Sequence, residues 1–193
     1  MKTTTVAPTE AVLEQRLREL LLARSVRRGE FVLASGQRSS FYIDARPTTM
    51  SGEGLALVGA LGLARLAARG WHPQLVGGLT LGADPVAYAI AAAAQARGTP
   101  LDAFTVRKEA KGHGTGQRIE GCFVAGASVV VVEDVMTTGR SALEAIGAVV
   151  AGDGRVLGVL AVVDREAGGR AFLERAGYPL EAFVTARDLG LEG

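Results

Sequence analysis

The sequence contains a single cysteine and almost no excess of charge. Cys122 alone excludes an intrachain disulfide and any metal site built from several cysteines, as is typical of a reducing compartment. The 21 basic residues are balanced by 20 acidic ones, so no overall field indicates a nucleic-acid or membrane partner. No Gly-x-x-x-x-Gly-Lys-Ser/Thr pattern occurs, which excludes a P-loop. Any site for an anionic ligand must therefore be local.

Long hydrophobic runs are also missing. No stretch approaches the ~18 apolar residues of a membrane span, and residues 1–10 lack the apolar segment of a signal peptide. We therefore expect a cytoplasmic protein. Hydrophobic residues still make up 48% of the 193, which is enough for a buried core. We expect residues 1–193 to form one domain, to which residues 1–46 add an N-terminal helix and a small appendage.

Helical and strand-like segments alternate along most of the chain and predict an α/β fold. The unbroken apolar run 129–132 is typical of a central parallel strand covered on both faces. We predict a mostly parallel central sheet flanked by helices, with ligands at the carboxyl ends of its strands. The predicted helices are 9–24, the segment between Ser51 and Gly70, 84–97, 141–151 and 170–176; the predicted sheet strands are 75–79, 103–107, 128–132, 156–163 and 181–185.

Two adjacent carboxylates, Glu133 and Asp134, follow the predicted strand 128–132. Such a pair is costly to enclose without partners, which favours a ligand over a solvated surface turn. A turn of small residues then opens a helix, whose N-terminal N–H groups attract an anion. A ribose 5-phosphate, with hydroxyls at one end and phosphate at the other, has the shape for this pattern. The residues of the turn are Val135, Met136, Thr137, Thr138, Gly139, Arg140 and Ser141.

A second cluster is basic. The chain has only three lysines, and two of them, Lys108 and Lys111, share a glycine-rich window with Arg107 and His113. The window has no apolar periodicity, so it is either a solvated surface loop or a mobile arm. Next to the acidic pair we favour an arm that closes over a diphosphate and neutralises its developing charge.

These segments resemble a known family. Residues 133–141 resemble the phosphoribosyl diphosphate motif of type I phosphoribosyltransferases. Arg107-Lys108-x-x-Lys111-x-His113 resembles the catalytic loop of the orotate phosphoribosyltransferases, and residues 163–169 resemble their orotate-side segment. The N-terminal segment 31–44 is similar to that family as well, so the resemblance runs from about residue 29 to 169.

The resemblance implies a reaction and an assembly. The reaction is Mg²⁺-dependent transfer of ribose 5-phosphate from 5-phosphoribosyl 1-diphosphate to orotate, giving orotidine 5′-monophosphate and diphosphate in pyrimidine biosynthesis. The assembly is a homodimer that shares loop residues between its sites, and the N-terminal appendage is a hood. No residue is implied as a direct metal ligand, because the donor diphosphate, the ribose hydroxyls and water would hold the Mg²⁺.

The resemblance also implies roles for single residues. Glu133 and Asp134 would hold the ribose hydroxyls, while the turn 135–141 would wrap the 5-phosphate. Thr137 and Arg165 would contact orotate, whose carboxylate suits an arginine fork. The catalytic residues would be Lys108, Lys111, His113 and Asp134. Lys108 would face the donor in its own subunit, whereas Arg107, Lys111 and His113 would reach the partner's site.

Two departures and two alternatives accompany this interpretation. Ala34 and Leu81 stand where some family members have lysines. Because Leu81 brings no charge, the segment 77–82 would offer a diphosphate only backbone groups. A purine phosphoribosyltransferase would share the acidic pair but would not need Arg165. A regulator that senses the donor would carry a basic helix-turn-helix segment, which the sequence lacks.

The basic loop generates the first testable prediction. Lys111→Ala should slow turnover at saturating substrates by about a hundredfold, since a loss of about 2.7 kcal/mol of transition-state stabilisation has that effect. The thermal midpoint should stay close to that of the parent protein. Steady-state kinetics and thermal unfolding measure the two quantities, and full turnover in the variant would exclude a catalytic loop.

Overall fold

The computed structural model describes residues 8–32, 38–109 and 118–191, and within them helices and strands alternate. In chain order the elements are α1 (Glu10–Arg24), β1 (Val26–Val32), β2 (Arg38–Ile43), α2 (Arg46–Thr49), α3 (Gly52–Ala68), β3 (Leu75–Leu79), α4 (Ala83–Gln95), β4 (Asp102–Val106), β5 (Ile119–Gly121), β6 (Ser128–Met136), α5 (Arg140–Ala151), β7 (Arg155–Asp164), α6 (Gly169–Arg175), β8 (Leu180–Thr185) and a short 3₁₀ helix (Arg187–Leu189).

Six strands form one sheet in the order β5-β4-β3-β6-β7-β8. Every neighbouring pair is parallel except β4 and β5, which are antiparallel. β1 and β2 form a separate antiparallel hairpin, which we call the hood. The predicted fold class, a mostly parallel sheet flanked by helices with a small N-terminal hood, is confirmed.

The core lies on both faces of the sheet. Val130 and Val132 of β6 belong to the apolar cluster that contains buried residues of α1, α3 and α4. Val129 and Val131 belong to the opposite cluster, with buried residues of α5 and α6. Alternate residues of a strand point to opposite faces, so an unbroken valine run is what a doubly covered strand requires.

The structure corrects several details of the sequence analysis. β6 continues to Met136, so the acidic pair lies within the strand and not in the turn after it. The short edge strand β5 falls in a stretch that we predicted to be loop. Val12 is exposed although it fits the apolar spacing of α1. Among the described helices, none combines the length and apolar character needed to cross a bilayer.

We propose that residues 1–193 form one domain, and α1 provides the test. Leu21 is fully buried in the cluster shared with α3 and α4, whereas Val12 on the same helix is 57% exposed. Leu21→Ala should lower the free energy of unfolding by about 2–5 kcal/mol, because it leaves a cavity in the common core.

Val12→Ala serves as the matched control and should change stability by less than about 0.5 kcal/mol. Denaturant unfolding followed by circular dichroism measures both variants. Two separate transitions, with only the minor one sensitive to Leu21→Ala, would show that the N-terminal helix is an independent unit.

Candidate active site

The acidic pair lies at the carboxyl end of β6, in the middle of the sheet. Glu133 is only 9% exposed, and Asp134 beside it is half-buried. Burial raises the pKa of Glu133 well above its ordinary value, and the charge of Asp134 raises it further, while Lys108 opposes the rise. An ionised Glu133 therefore lowers the stability of the ligand-free protein, and a partner for its carboxylate would offset that loss.

The Asp134 carboxylate packs against the loop after β3. Its Oδ1 accepts a hydrogen bond of 2.8 Å from the backbone N–H of Val135, which fixes the side chain. A Cβ atom added at Gly82 would lie 2.5 Å from Oδ1 and 2.7 Å from Oδ2. Only a glycine at position 82 lets the loop approach the carboxylate this closely.

The turn after β6 encloses a small cavity of about 70 Å³, lined by Glu133 and residues 135–141. Gly139 has φ of 81° and directs the chain into α5, a conformation that L side chains rarely adopt. The first N–H groups of α5 have no partner within the helix and carry positive partial charge. The cavity has room for a small anion on the scale of a single phosphate group.

Arg165 lies beside this turn, just beyond the end of β7. Its backbone N–H donates to the carbonyl of Met136 at 2.9 Å, and the Gly169 N–H donates to the Thr137 carbonyl at 3.0 Å. The half-buried guanidinium has its pKa lowered by burial but stays charged at neutral pH. Its Nε is shielded from water and has no hydrogen-bond partner among the described residues.

A second, open cavity of about 640 Å³ lies on the β3 and β4 side of the pair. The loop after β3, with a cis peptide between Thr80 and Leu81, forms part of its wall. The residues that line it are Thr80, Leu81, Tyr88, Thr105, Arg107, Lys108, Glu109 and Glu120.

The sequence analysis missed a hydrogen-bond network in this wall. Both oxygens of Asp84 accept hydroxyl hydrogen bonds, from Thr80 at 2.7 Å and from Thr105 at 2.8 Å. Thr105 has one proton, so in its 2.9 Å contact with Tyr88 the tyrosine is the donor. The network braces the loop after β3 against β4. The only signal in the sequence is the polar character of Thr80 and Asp84 near a helix start.

The base of the basic loop is tied to the sheet. Arg118 donates from Nε and Nη2 to the Arg107 carbonyl, at 3.2 and 3.0 Å, and also forms an ion pair with Glu144 of α5. The Arg107 guanidinium pairs with Glu120 at 3.2 Å. Lys111 and His113 lie outside the described residues, as does Ala34.

No protein-family model matches the chain. Its similarity to individual known proteins nevertheless shows which family the chain belongs to. It is 47% identical over 177 residues to the orotate phosphoribosyltransferase of Mycobacterium avium, over 92% of this chain and 96% of that protein. This chain belongs to the orotate phosphoribosyltransferase family. Its structure is similar to that of Mycobacterium tuberculosis orotate phosphoribosyltransferase in complex with 5-phospho-alpha-D-ribosyl 1-diphosphate, with a TM-score of 0.78, 42% identity and coverage of 93% and 99%.

Members of the orotate phosphoribosyltransferase family are pentosyltransferases of pyrimidine biosynthesis. Membership of this family decides against both alternatives raised from the sequence, a purine phosphoribosyltransferase and a regulator that senses the donor. Leishmania donovani adenine phosphoribosyltransferase also has a similar structure, with a TM-score of 0.66 over 96% of this chain and 87% of that one. At 16% identity this similarity shows a common fold alone.

The structure brings most of the predicted site residues to one edge of the sheet. Glu133 and residues 135–141 line the small cavity, and Asp134 and Arg165 flank it. Arg107 and Lys108 line the larger cavity on the other side of the pair. Within the described residues, no group of three or more His, Cys, Asp or Glu side chains could hold a metal ion.

Gly82→Ala tests the position of Asp134 in this orotate phosphoribosyltransferase family member. The added methyl group would displace the carboxylate that we expect to bind the ribose hydroxyls. Donor affinity should fall by about tenfold to a hundredfold, the effect of one or two charged hydrogen bonds. Isothermal titration with 5-phosphoribosyl 1-diphosphate and Mg²⁺ measures the change.

Gly147→Ala is the matched control, because nothing lies within 4 Å of the added Cβ on the exposed face of α5. It should leave donor affinity unchanged and stabilise the protein by about 0.5–1 kcal/mol. Equal donor affinity in the two variants would mean that the Asp134 carboxylate does not bind the donor.

Proposed function

We propose that this protein transfers the 5-phosphoribosyl group of 5-phosphoribosyl 1-diphosphate to orotate. The bond between the anomeric carbon and a diphosphate oxygen breaks, and the diphosphate leaves with the bonding electrons. A ring nitrogen of orotate forms the new bond to that carbon and loses its N–H proton to the departing diphosphate or to water, which gives orotidine 5′-monophosphate. Membership of the orotate phosphoribosyltransferase family supports this proposal, and so does the geometry of the candidate site.

One observation carries the assignment: the buried Glu133 lines a small cavity together with the turn that opens α5, and Asp134 and the half-buried Arg165 flank that cavity. Glu133 and Asp134 would accept hydrogen bonds from the ribose hydroxyls. The N–H groups of the turn 135–141 would bind the 5-phosphate at the start of α5. Thr137 and Arg165 would then contact the base at the end where β6 meets β7.

Catalysis in this arrangement is chiefly electrostatic. As the diphosphate departs, the sugar would become cation-like, and the carboxylates of Glu133 and Asp134 would stabilise that charge. Lys108 at the base of the basic loop, together with Lys111 and His113 further along it, would neutralise the leaving diphosphate. Closure of the loop would exclude water from the reacting carbon.

We expect the ligands of Mg²⁺ at this site to come mainly from the substrate and not from the protein. Two adjacent carboxylates without a third acidic or histidine partner among the described residues are a sparse ligand set. Mg²⁺ retains several waters and is commonly held by one or two carboxylates together with substrate phosphates. We propose that the donor diphosphate, the ribose hydroxyls and water hold the ion, which supplies positive charge to the leaving group.

We also propose that the protein is a cytoplasmic homodimer with no nucleic-acid or membrane partner. In this dimer Arg107, Lys111 and His113 would reach the active site of the partner subunit. Within one chain Arg107 is paired with Glu120, and both side chains are 43% exposed. An ion pair this exposed stabilises by only about 0–1 kcal/mol. Its exchange for a diphosphate on a second subunit would therefore cost little.

An absorbance assay tests the proposed function. With 5-phosphoribosyl 1-diphosphate and Mg²⁺, the near-ultraviolet absorbance of orotate should fall, and adenine, hypoxanthine and uracil should give no turnover. Arg165→Gln should lower kcat/KM for orotate by about tenfold to a hundredfold, since it removes charge-assisted hydrogen bonds to the carboxylate.

The dissociation constant of the donor is the internal control, because Arg165 lies on the base side of the cavity. It should be the same in Arg165→Gln as in the parent protein. Turnover of a purine in place of orotate would refute the proposed substrate, and a variant with full kcat/KM would refute the role of Arg165 alone.

A further inference from the structure

The hood reaches across to Arg165, which lies more than a hundred positions later in the chain. The Nη2 group of Arg165 donates to the Ser39 hydroxyl at 3.2 Å. The guanidinium carbon lies 4.7 Å from the centre of the Phe41 ring. Both contacts come from β2, so the arginine assigned to the base is held by a strand outside the central sheet.

The hydrogen bonds of Ser39 fix where its hydroxyl points. Oγ donates to the Phe41 carbonyl at 2.8 Å and accepts from the Phe41 N–H at 3.3 Å. A serine hydroxyl has one proton and two lone pairs, so only the second lone pair is left for Arg165. The backbone of β2 therefore orients the acceptor before Arg165 binds to it.

The two contacts constrain different motions of the guanidinium. Phe41 is buried, with 4% of its surface exposed. The face of its ring sets the plane of the Arg165 guanidinium but leaves the guanidinium free to turn within that plane. The directional bond to Ser39 removes this rotation. Among the described residues, only Ser39 accepts a hydrogen bond from the Arg165 side chain.

The backbone around Arg165 is held independently. Asp164 is 1% exposed, accepts from the Glu166 N–H at 2.9 Å and forms an ion pair with Arg170 at 3.2 Å. Glu166 adopts φ of 57° and accepts from the Arg187 N–H at 3.1 Å. Loss of the Ser39 hydroxyl would therefore free the Arg165 side chain and leave its backbone in place.

We propose that Ser39 is a positioning residue for base specificity: its hydroxyl turns Arg165 so that the remaining donors of the guanidinium face the carboxylate of the base. This inference rests on the proposed function and gives Ser39, a residue of the hood, a role in orienting Arg165 for recognition of the base. The alternative is that Ser39 only shapes the hairpin through its two bonds to Phe41.

Equilibrium binding of two nucleotides isolates the carboxylate. Orotidine 5′-monophosphate and uridine 5′-monophosphate differ only in that group, so the ratio of their dissociation constants reports on recognition of the carboxylate. In the parent protein the ratio should favour orotidine 5′-monophosphate. In Ser39→Ala the preference should fall by about tenfold, which is a loss of about 1.4 kcal/mol.

Three further variants make the test specific. Ser39→Thr keeps a hydroxyl and should restore most of the preference, whereas Ser39→Cys keeps the shape with a weak acceptor and should not. If Ser39→Ala does not fold, the cysteine variant carries the same test. In an Arg165→Gln background, Ser39→Ala should have no additional effect on the ratio, as a double-mutant cycle requires for coupled residues.

The outcomes separate this inference from the proposed function. A parent protein that does not prefer orotidine 5′-monophosphate overturns both. If the parent protein prefers orotidine 5′-monophosphate and the Ser39 variants keep that preference, only the inference about Ser39 is overturned. Equal weakening of both nucleotides, with a lower thermal midpoint, would show that Ser39 acts on the hairpin alone and would also overturn it.

Discussion

The burial of Glu133 at the end of a fully covered strand is the constraint on which the site depends. A carboxylate removed from water is costly unless hydrogen bonds or charges compensate. Burial and the neighbouring charge of Asp134 raise the pKa of Glu133, and Lys108 opposes only part of that rise. Glu133 also lines the same cavity as the turn that opens α5. Under the proposed function, a ribose with two hydroxyl donors would supply the missing partners.

Parallel strands bring these features together, because the carboxyl ends of β3, β6 and β7 meet at one edge of the sheet. The loop after β3 forms part of the wall of the larger cavity, the turn after β6 lines the smaller one, and the segment after β7 carries Arg165. The register of β6 and β7 places Met136 opposite Asp164, so the phosphate and base regions share a boundary. In the proposed function, the order of donor and base across the site would therefore follow from the order of the strands.

Local patterns were enough to predict much of this arrangement. The run Val129–Val132 indicated a central strand, and the acids and hydroxyls after it indicated that residues 133–141 lie together around one cavity, because both signals lie in consecutive residues. The extension of β6 through the acidic pair was not predictable, since charged residues are rare in covered strands and the pairing that continues the strand is with β7, a later segment of the chain. The links from Asp84 to Thr105 and from Ser39 to Arg165 join residues 21 and 126 positions apart, and no local periodicity carries such information.

Leu81 shows how the loop after β3 differs from that of relatives with a lysine at this position. Its side chain is 55% exposed and brings no charge, so any contact with a diphosphate must come from the backbone. A backbone site requires a fixed loop, because N–H groups that must first be ordered lose binding free energy to entropy. The two hydroxyl bonds to Asp84 provide that order, since they tie Thr80 to Thr105 and so to the sheet. With Leu81 in place of a lysine, we expect the positive charge that the diphosphate meets to come from Mg²⁺ and from the basic loop, and therefore to depend strongly on the two lysines of that loop.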